Sequence, residues 1–353
     1  MKIIDMIDKM GHEQLVFCQD KPTGLKAIIA IHDTTLGPAL GGCRFWNYQS
    51  EDEAIIDVLK LSRGMTYKAA VANLALGGGK SVIIGDPSKL KSEEFFRAFG
   101  KFVESLNGRY ITAEDVNIGV HDINQVAKET KHVVGVTNRP GGSGDPSPYT
   151  ALGVFYGIKA SIKHKLGKDS VEGLTIAVQG CGAVGGNLCQ LLHNHGAKLV
   201  ISDLDHQKVT DLVHKYSCEV VETSEIHKVK ADVFAPCALG GILNAKTIPE
   251  IGAPIAAGGA NNQLLDEKED ALLLQKLDIL YAPDYVLNAG GLINVAHEIK
   301  GYVQQAAEHD VRNIYHTLLN IFYKSKEQRI LPSEASDILA QQKISEKKRR
   351  MAS

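Results

Sequence analysis

Residues 175–186 read TIAVQGCGAVGG, and the rest of the chain is best read outward from them. The first five, with β-branched Thr175, Ile176 and Val178, have the character of a short buried strand. The next six, Gly180-Cys181-Gly182-Ala183-Val184-Gly185, match the spacing GxGxxG. That spacing carries meaning only where it leaves a strand and opens a helix, and residues 187–194 continue with a helical pattern. The first glycine then permits a tight turn, the second lets backbone reach a pyrophosphate, and the third lets helix and strand pack closely. The pyrophosphate would sit on the helix N-terminus, where free N–H groups and the dipole favour anions. Asp203 stands past that helix, at the end of the next apolar run. A carboxylate there accepts hydrogen bonds from a ribose 2′-hydroxyl and repels a 2′-phosphate, which predicts NAD rather than NADP. The competing reading is a helix cap, a role Asp205 can also fill.

Apolar runs and helical patterns alternate on either side. Residues 199–202, 233–235, 255–257 and 279–281 read as strands, and 208–216 as a helix. Such alternation predicts a doubly wound parallel sheet of Rossmann type. Upstream, residues 151–166 read as a helix with Thr150 as its cap. Beyond Val303 the chain turns helical, with Ile314, Leu318, Ile321 and Phe322 on one face. Residues 138–148, NRPGGSGDPSP, hold six Gly or Pro among eleven and read as an inter-domain hinge or active-site loop. Before that loop lies a mixed α/β region. Strands are expected over 25–32, 81–85 and 109–111. A helix opens at the capping box Ser50-Glu-Asp-Glu53.

Composition narrows the function. Forty-one acids and 39 bases leave a net charge of −2, which gives no electrostatic reason to bind nucleic acid or anionic membranes. No run approaches the ~20 apolar residues of a membrane span, and no signal peptide is evident. The six cysteines form no CxxC pair and no Cys/His metal spacing, so free thiols in a reducing cytoplasm, and no metal, are expected. The basic run at residues 347–350 reads as a solvated tail. Glycine is the exception: 34 residues, near a tenth of the chain against a usual share of about 7%. Nineteen fall in seven tight groups. Clustered glycine points to sites where a small molecule meets backbone.

One of these groups, Gly77-Gly-Gly-Lys80-Ser, is not a phosphate loop, because GxxxxGK[ST] needs glycine where the chain has Leu74. The three glycines instead leave room for a small substrate beside Lys80. Lys68 lies shortly before them in the chain. If the two lysines are close and one is desolvated, like-charge repulsion lets one act as a base while the other binds a carboxylate. Taken singly, each is more readily read as a surface charge. Asp115, just past a strand end, would handle protons on an amine or cap a helix. Asn262 and Asn288, beside small-residue runs, would present amides to a ligand or stabilise turns. A dinucleotide-binding regulator without turnover is the alternative of another class, and the presence of Lys68, Lys80 and Asp115 together speaks against it.

Seven segments together carry a resemblance: LGPALGGCRFW (36–46), SRGMTYKAAVANLALGGGKSVIIGDP (62–87), GRYITAEDV (108–116), VQGCGAVG (178–185), FAPCALGGILN (234–244), GGANNQL (258–264) and YAPDYVLNAGGLINVAHE (281–298). They resemble the glutamate/leucine/phenylalanine/valine dehydrogenase family, over about residues 11–340, most closely its leucine-specific members. The resemblance implies reversible oxidative deamination: an L-amino acid and NAD give a 2-oxo acid, ammonia and NADH. It implies that Lys68 binds the substrate carboxylate with help from Asn262, that Lys80 is the general base toward water, and that Asp115 exchanges protons with the departing amine. Gly41 and Gly42 would lend backbone near the substrate beside Met65, and Thr150, Asn262 and Asn288 would lie toward the nicotinamide. The implied architecture is a substrate-binding and oligomerisation domain (1–147), a Rossmann NAD-binding domain (148–330) with a cleft between them, and a helical segment (331–353) packing back on the first. Homo-oligomers from dimer to octamer are implied, with no nucleic-acid or membrane partner.

Glutamate-specific members carry lysine at the place of Leu40 and serine at the place of Val295. Neither residue here can pair a buried carboxylate, which is costly to leave unpaired. Leu40, Ala113, Leu292 and Val295 would form an apolar pocket for leucine, isoleucine or valine. Leu292 replaces the valine usual in leucine-specific members and is more like the aromatic-specific ones, so phenylalanine or tryptophan is the alternative. Cys43 replaces a common threonine.

Overall fold

The computed structural model describes residues 2–136 and 142–352, which divide into two compact units. The first comprises Met1–Asp145, Val295–Val303 and Ala340–Ser353, and the second Pro146–Asn294 and Gln304–Leu339. The boundary expected after residue 147 thus falls after Asp145, and residues 331–339 belong with the second unit. The chain re-enters the first unit twice because specific polar groups hold it there. The Glu298 carboxylate accepts the backbone N–H groups of Gly135 and Ser143 and the Ser143 hydroxyl. Lys343 reaches the Val71 carbonyl and Asn73, and Lys348 lies 3.0 Å from Asp33. The basic run at 347–350 is exposed, and Lys348 ties it back to the first unit. Of the loop at 138–148, residues 138–141 lie outside the described residues.

In the first unit the strands β1 (Gln14–Asp20), β2 (Leu25–Asp33), β3 (Ala39–Trp46), β4 (Gly77–Ile84) and β5 (Tyr110–Ala113) form a sheet in the order β1-β2-β4-β3-β5. β3 pairs parallel with β4 and β5; the other pairs are antiparallel. Helices α1 (Ile3–Met10) and α2 (Glu51–Val71) cover one face, and α3 (Pro87–Leu90), α4 (Glu93–Ser105) and α5 (Val120–Val126) belong to the rest of the unit. β2 is buried on both faces, which is why it reads as an unbroken apolar run. Its odd residues Leu25, Ile29 and Ile31 join one core with Phe45, Phe95 and Phe99. Ile28 and Ala30 join the other with Ile55, Val58 and Leu59 of α2. As the capping box predicts, the Ser50 hydroxyl accepts the Glu53 N–H at the start of α2.

β4 begins at Gly77, ahead of the expected strand, so the three glycines are strand rather than open loop. Their missing side chains are replaced by protein. A Cβ on Gly77 would lie 2.1 Å from the Asp33 carbonyl, one on Gly78 2.0 Å from the Thr66 nitrogen, and one on Gly79 2.7 Å from the Tyr110 ring. Strand glycine costs roughly 0.5–1 kcal/mol each; here it lets α2 settle directly onto the sheet. The room expected beside this run is filled.

The second unit holds β6 (Thr175–Gln179), β7 (Lys198–Ser202), β8 (Glu219–Val220), β9 (Val233–Pro236), β10 (Ile255–Ala256) and β11 (Leu280–Tyr281), all parallel, in the order β11-β10-β9-β6-β7-β8. Numbered from β6, this is the doubly wound order 3-2-1-4-5-6, whose switch point falls between β6 and β9. Its helices are α6 (Ser147–Leu166), α7 (Ala183–Asn194), α8 (His206–Tyr216), α9 (Glu269–Lys276), α10 (Asp284–Leu287), most of α11 (Gly290–Glu298), α12 (Gln304–Arg312), α13 (Ile314–Gln328) and the start of α14 (Pro332–Ala352). Thr150 does not cap α6. The helix starts at Ser147, with Pro148 in its first turn, where a missing N–H costs nothing, and the Thr150 hydroxyl donates back to the Pro146 carbonyl. Gly290 and Gly291 likewise serve packing: a Cβ on either would strike Tyr149 or Thr150 of α6.

Candidate active site

The register Leu40–Gly78 and Cys43–Ser81 sets Gly42 abreast of Lys80, and Gly42 pairs with Ala113 on its other side. Lys80, Gly42 and Ala113 therefore form one row on the sheet face covered by α2, with Leu40 in the row before and Arg44 in the row after. Lys80 is 6% exposed, and its ammonium lies 2.7 Å from Asp115 Oδ2. The Arg44 Nε lies 3.5 Å from the same oxygen. The glycine at 42 makes this possible, because a Cβ there would sit 2.8 Å from the Asp115 Cβ. Asp115 caps no helix: α5 starts at Val120 with Gly119 as its N-cap.

Burial pushes the Asp115 carboxyl up, but Lys80, Arg44 and the Val116 N–H outweigh it and hold the group below the usual carboxylate range. On the opposite sheet face the Tyr110 hydroxyl donates to the Gly41 carbonyl at 2.6 Å and lies 2.9 Å from Ser81 Oγ. Gly41 is packed as tightly as Gly42, since its Cβ would lie 1.7 Å from the Gly79 carbonyl oxygen. Above Lys80's face, Thr66 sits on Gly78, and the half-buried Met65 and Lys68 flank it on α2. Leu40 and Ala113 are buried, as are Leu292 and Val295 on α11.

In the second unit the three glycines of the turn divide their labour. Gly180 takes φ +96°, a left-handed conformation that favours glycine. A Cβ on Gly185 would meet the Gly180 carbonyl at 1.8 Å, so this glycine allows α7 to press on the turn. At Gly182, the N-cap of α7, an added Cβ meets nothing within 4 Å. This is the open place beside a helix N-terminus that a pyrophosphate needs. The helix opens at Ala183, earlier than the start read from the sequence, so Ala183 and Val184 supply its first N–H groups. Asp203 accepts the Cys181 N–H at 2.6 Å through Oδ2 and the Asp205 N–H at 2.8 Å through Oδ1. The capping role goes to Asp205, which accepts the Gln207 and Lys208 N–H groups. Asp203 thus stands at the turn, half-exposed.

Asn262 is exposed at φ +51°, and its carbonyl accepts the Gly241 N–H. Asn288 is buried and donates to the Gly259 carbonyl and Asn261 Oδ1, bracing the loop that carries Asn262. Gly258 and Gly259 pack against Pro236 and Val184 beside that loop. All six cysteines are free thiols; burial pushes Cys181 up to about 12, away from thiolate chemistry. Among the described residues no cluster of three or more His, Cys, Asp or Glu side chains is placed to hold a metal, and no helix is long and apolar enough to cross a membrane. Arg44 and its neighbours Asp57 and Tyr48 went unread in the sequence. The one signal was a lone arginine inside the apolar run ALGGCRFW.

Two family models match the chain: the Glu/Leu/Phe/Val dehydrogenase dimerisation domain over residues 12–132, and the glutamate/leucine/phenylalanine/valine dehydrogenase domain over 141–206 and 202–350. The chain belongs to this family. It is accordingly an oxidoreductase acting on the CH–NH2 group of an amino acid, with a nicotinamide dinucleotide as cofactor. A leucine dehydrogenase from Thermoactinomyces intermedius is 52% identical over 344 residues, covering 98% of this chain and 94% of that protein. An L-tryptophan dehydrogenase from Nostoc punctiforme is 50% identical over 349 residues, covering 99% and 98%. The crystal structure of a Nostoc punctiforme L-tryptophan dehydrogenase superposes with a TM-score of 0.87, covering 98% of this chain and 99% of that one at 48% identity. Among members of the family, then, this chain has near relatives named for an aliphatic and for an aromatic amino acid.

Proposed function

We propose that the protein is an NAD-dependent dehydrogenase of branched-chain L-amino acids, leucine first, with isoleucine and valine. It would release the 2-oxo acid and ammonia as a cytoplasmic homo-oligomer, between dimer and octamer, in branched-chain amino-acid breakdown. The observation that carries the reading is the contact of buried Lys80 with half-buried Asp115 at 2.7 Å, on the same sheet face as Leu40 and Ala113. The open turn at Gly182, with Asp203 beside it, fits a dinucleotide carrying a free 2′-hydroxyl.

In this reading the Lys68 ammonium, supported by Asn262, holds the substrate carboxylate, with Met65 beside it. Gly180–Gly185 would hold the cofactor, with Thr150, Asn262 and Asn288 on the nicotinamide side, and the bound cofactor would supply the acceptor for the Cα hydride. Asp115, having first taken a proton from the substrate ammonium, returns it as the amine leaves as ammonia, and Lys80 accepts a proton from the water that adds to the imino carbon. The 2.7 Å contact lets Lys80 and Asp115 exchange that proton directly. Leu40, Ala113, Leu292 and Val295 offer a side chain only apolar surface. A glutamate carboxylate placed there would be buried without a partner. One methylene changes discrimination by about 1–3 kcal/mol, so a graded preference among leucine, isoleucine and valine is expected.

The test is a panel of L-leucine, L-isoleucine, L-valine, L-phenylalanine, L-tryptophan and L-glutamate with each cofactor, read as NADH or NADPH formation. Leucine with NAD should give the highest kcat/KM and glutamate none. A maximum with phenylalanine or tryptophan would replace the aliphatic reading by the aromatic one, and no reduced cofactor from any substrate would sink the activity. Cofactor choice has a separate check. Asp203→Ala removes the charge that repels a 2′-phosphate and should narrow the NAD-to-NADP ratio of kcat/KM by about tenfold or more, a change of ~1.4 kcal/mol. A ratio unchanged from the parent would take Asp203 away from the ribose.

A further inference from the structure

The Lys80–Asp115 pair is the inner end of a longer chain of charges. Behind it, the Arg44 Nη1 lies 2.9 Å from Asp57 Oδ2 on α2, and the Tyr48 hydroxyl donates to the same oxygen at 2.6 Å. Arg44 is thus held by Asp57 on one side while its Nε faces Asp115 on the other. Its side chain is three-quarters buried, as is that of Asp57. A guanidinium taken this far out of water needs its carboxylates, and a half-desolvated pair cannot drift apart as an exposed one does. Arg44 lies two residues from Gly42 on β3, the glycine that makes room for Asp115, so strand register places cation and cavity together.

We propose that Arg44, anchored by Asp57 and Tyr48, is a positioning residue that fixes the Asp115 carboxylate beside Lys80 and keeps it charged through the working range of the enzyme. This rests on the dehydrogenase reading for its catalytic consequence, though not for its electrostatics. The other titratable groups near Asp115 are Cys43 on β3 and Tyr110 on β5, which lie in the core on the opposite sheet face and are held neutral by burial, the thiol pushed up to about 12. Neither replaces the charge of Arg44. In deamination Asp115 must be unprotonated to take a proton from the substrate ammonium. Losing a neighbouring cation raises a carboxylate pKa, so the acid limb of kcat/KM moves to higher pH.

The experiment labels the protein with 13C-carboxyl aspartate, assigns the Asp115 resonance with Asp115→Asn, and titrates it in the parent, Arg44→Met, Arg44→Lys and Asp57→Asn. The pH profile of kcat/KM for L-leucine is measured alongside. In Arg44→Met both the resonance midpoint and the acid limb should rise by about one pH unit. Asp57→Asn should shift them less in the same direction, and Arg44→Lys should restore most of the parent behaviour. An unmoved Asp115 titration in folded Arg44→Met, or a rate loss equal at every pH, would overturn the proposal. If Arg44→Met does not fold, an unmoved titration in Asp57→Asn overturns it instead. Absence of amino-acid turnover in the parent would defeat the dehydrogenase reading, while the titration would still judge Arg44.

Discussion

Lys80→Ala should bind NAD as the parent does and lose roughly 10²–10⁴-fold in turnover, the usual contribution of one general base. The separation follows from where the residues lie. Lys80 sits in β4 of the first unit, whereas the glycine turn and Asp203 belong to the second. The turn's geometry is set within the second unit, by Gly180, by the Gly180–Gly185 contact and by the Asp203–Cys181 hydrogen bond. The substitution also takes from Asp115 its nearer cation and leaves Arg44 alone at 3.5 Å. Melting temperature should therefore be recorded with the kinetics, so that lost turnover is scored only on folded protein. Calorimetric NAD binding gives the other half of the measurement. Substantial retained turnover would remove Lys80 as the base, and lost NAD binding would show that the two sites are not separable in this way.

The glycine turn supports a paired prediction of similar size. Gly182→Val should fold normally and bind NAD on the order of 100-fold more weakly, about two decades in Kd. The position has φ −69°, which any residue adopts, and an added Cβ meets no protein atom within 4 Å. The new side chain would instead fill the place of the ligand. Gly185→Ala should do the opposite kind of damage. Its Cβ would lie 1.8 Å from a backbone oxygen that cannot swing away. Overpacking of this kind costs about 3 kcal/mol, or roughly 6–12 °C of melting temperature for a unit of this size. Thermal melts and NAD titrations on both variants give four numbers. A stable Gly185→Ala, or a Gly182→Val with undiminished NAD binding, would contradict the division of labour among the three glycines.

The strand at 175–179 was legible to the residue because a parallel strand buried on both faces leaves an uninterrupted apolar run, and the glycines that follow mark a tight turn into a helix in that setting. α2 was legible from Ser50 and Glu53, whose interaction is local. β3 was not. Its Gly41 and Gly42 argue against a strand until one knows that the Gly79 carbonyl and Asp115 occupy the space of their side chains. The same holds for Gly77–Gly79: a sequence shows that a side chain is missing and not what stands in its place. Lys80 and Asp115 were found as residue types in a recognisable context, but their close approach depends on the pairing of β3, β4 and β5. Arg44 escaped notice because its partners, Asp57 on α2 and Asp115 beyond β5, stand at separations that follow no local period.

The re-entry of the chain into its first unit bears on how the protein is made. Residues 295–303 and 340–353 complete a body whose sheet ends at Ala113, through Glu298 on Gly135 and Ser143 and through Lys343 and Lys348 on α2 and Asp33. A nascent chain emerging from the ribosome can assemble the sheet early, yet it cannot finish that unit until its final helix is synthesised. The second unit, which needs nothing beyond Leu339, can close first. Exchanging the first unit between relatives would accordingly require three segments to travel together, since a single crossover near residue 145 would join a sheet from one parent to the clasp of the other.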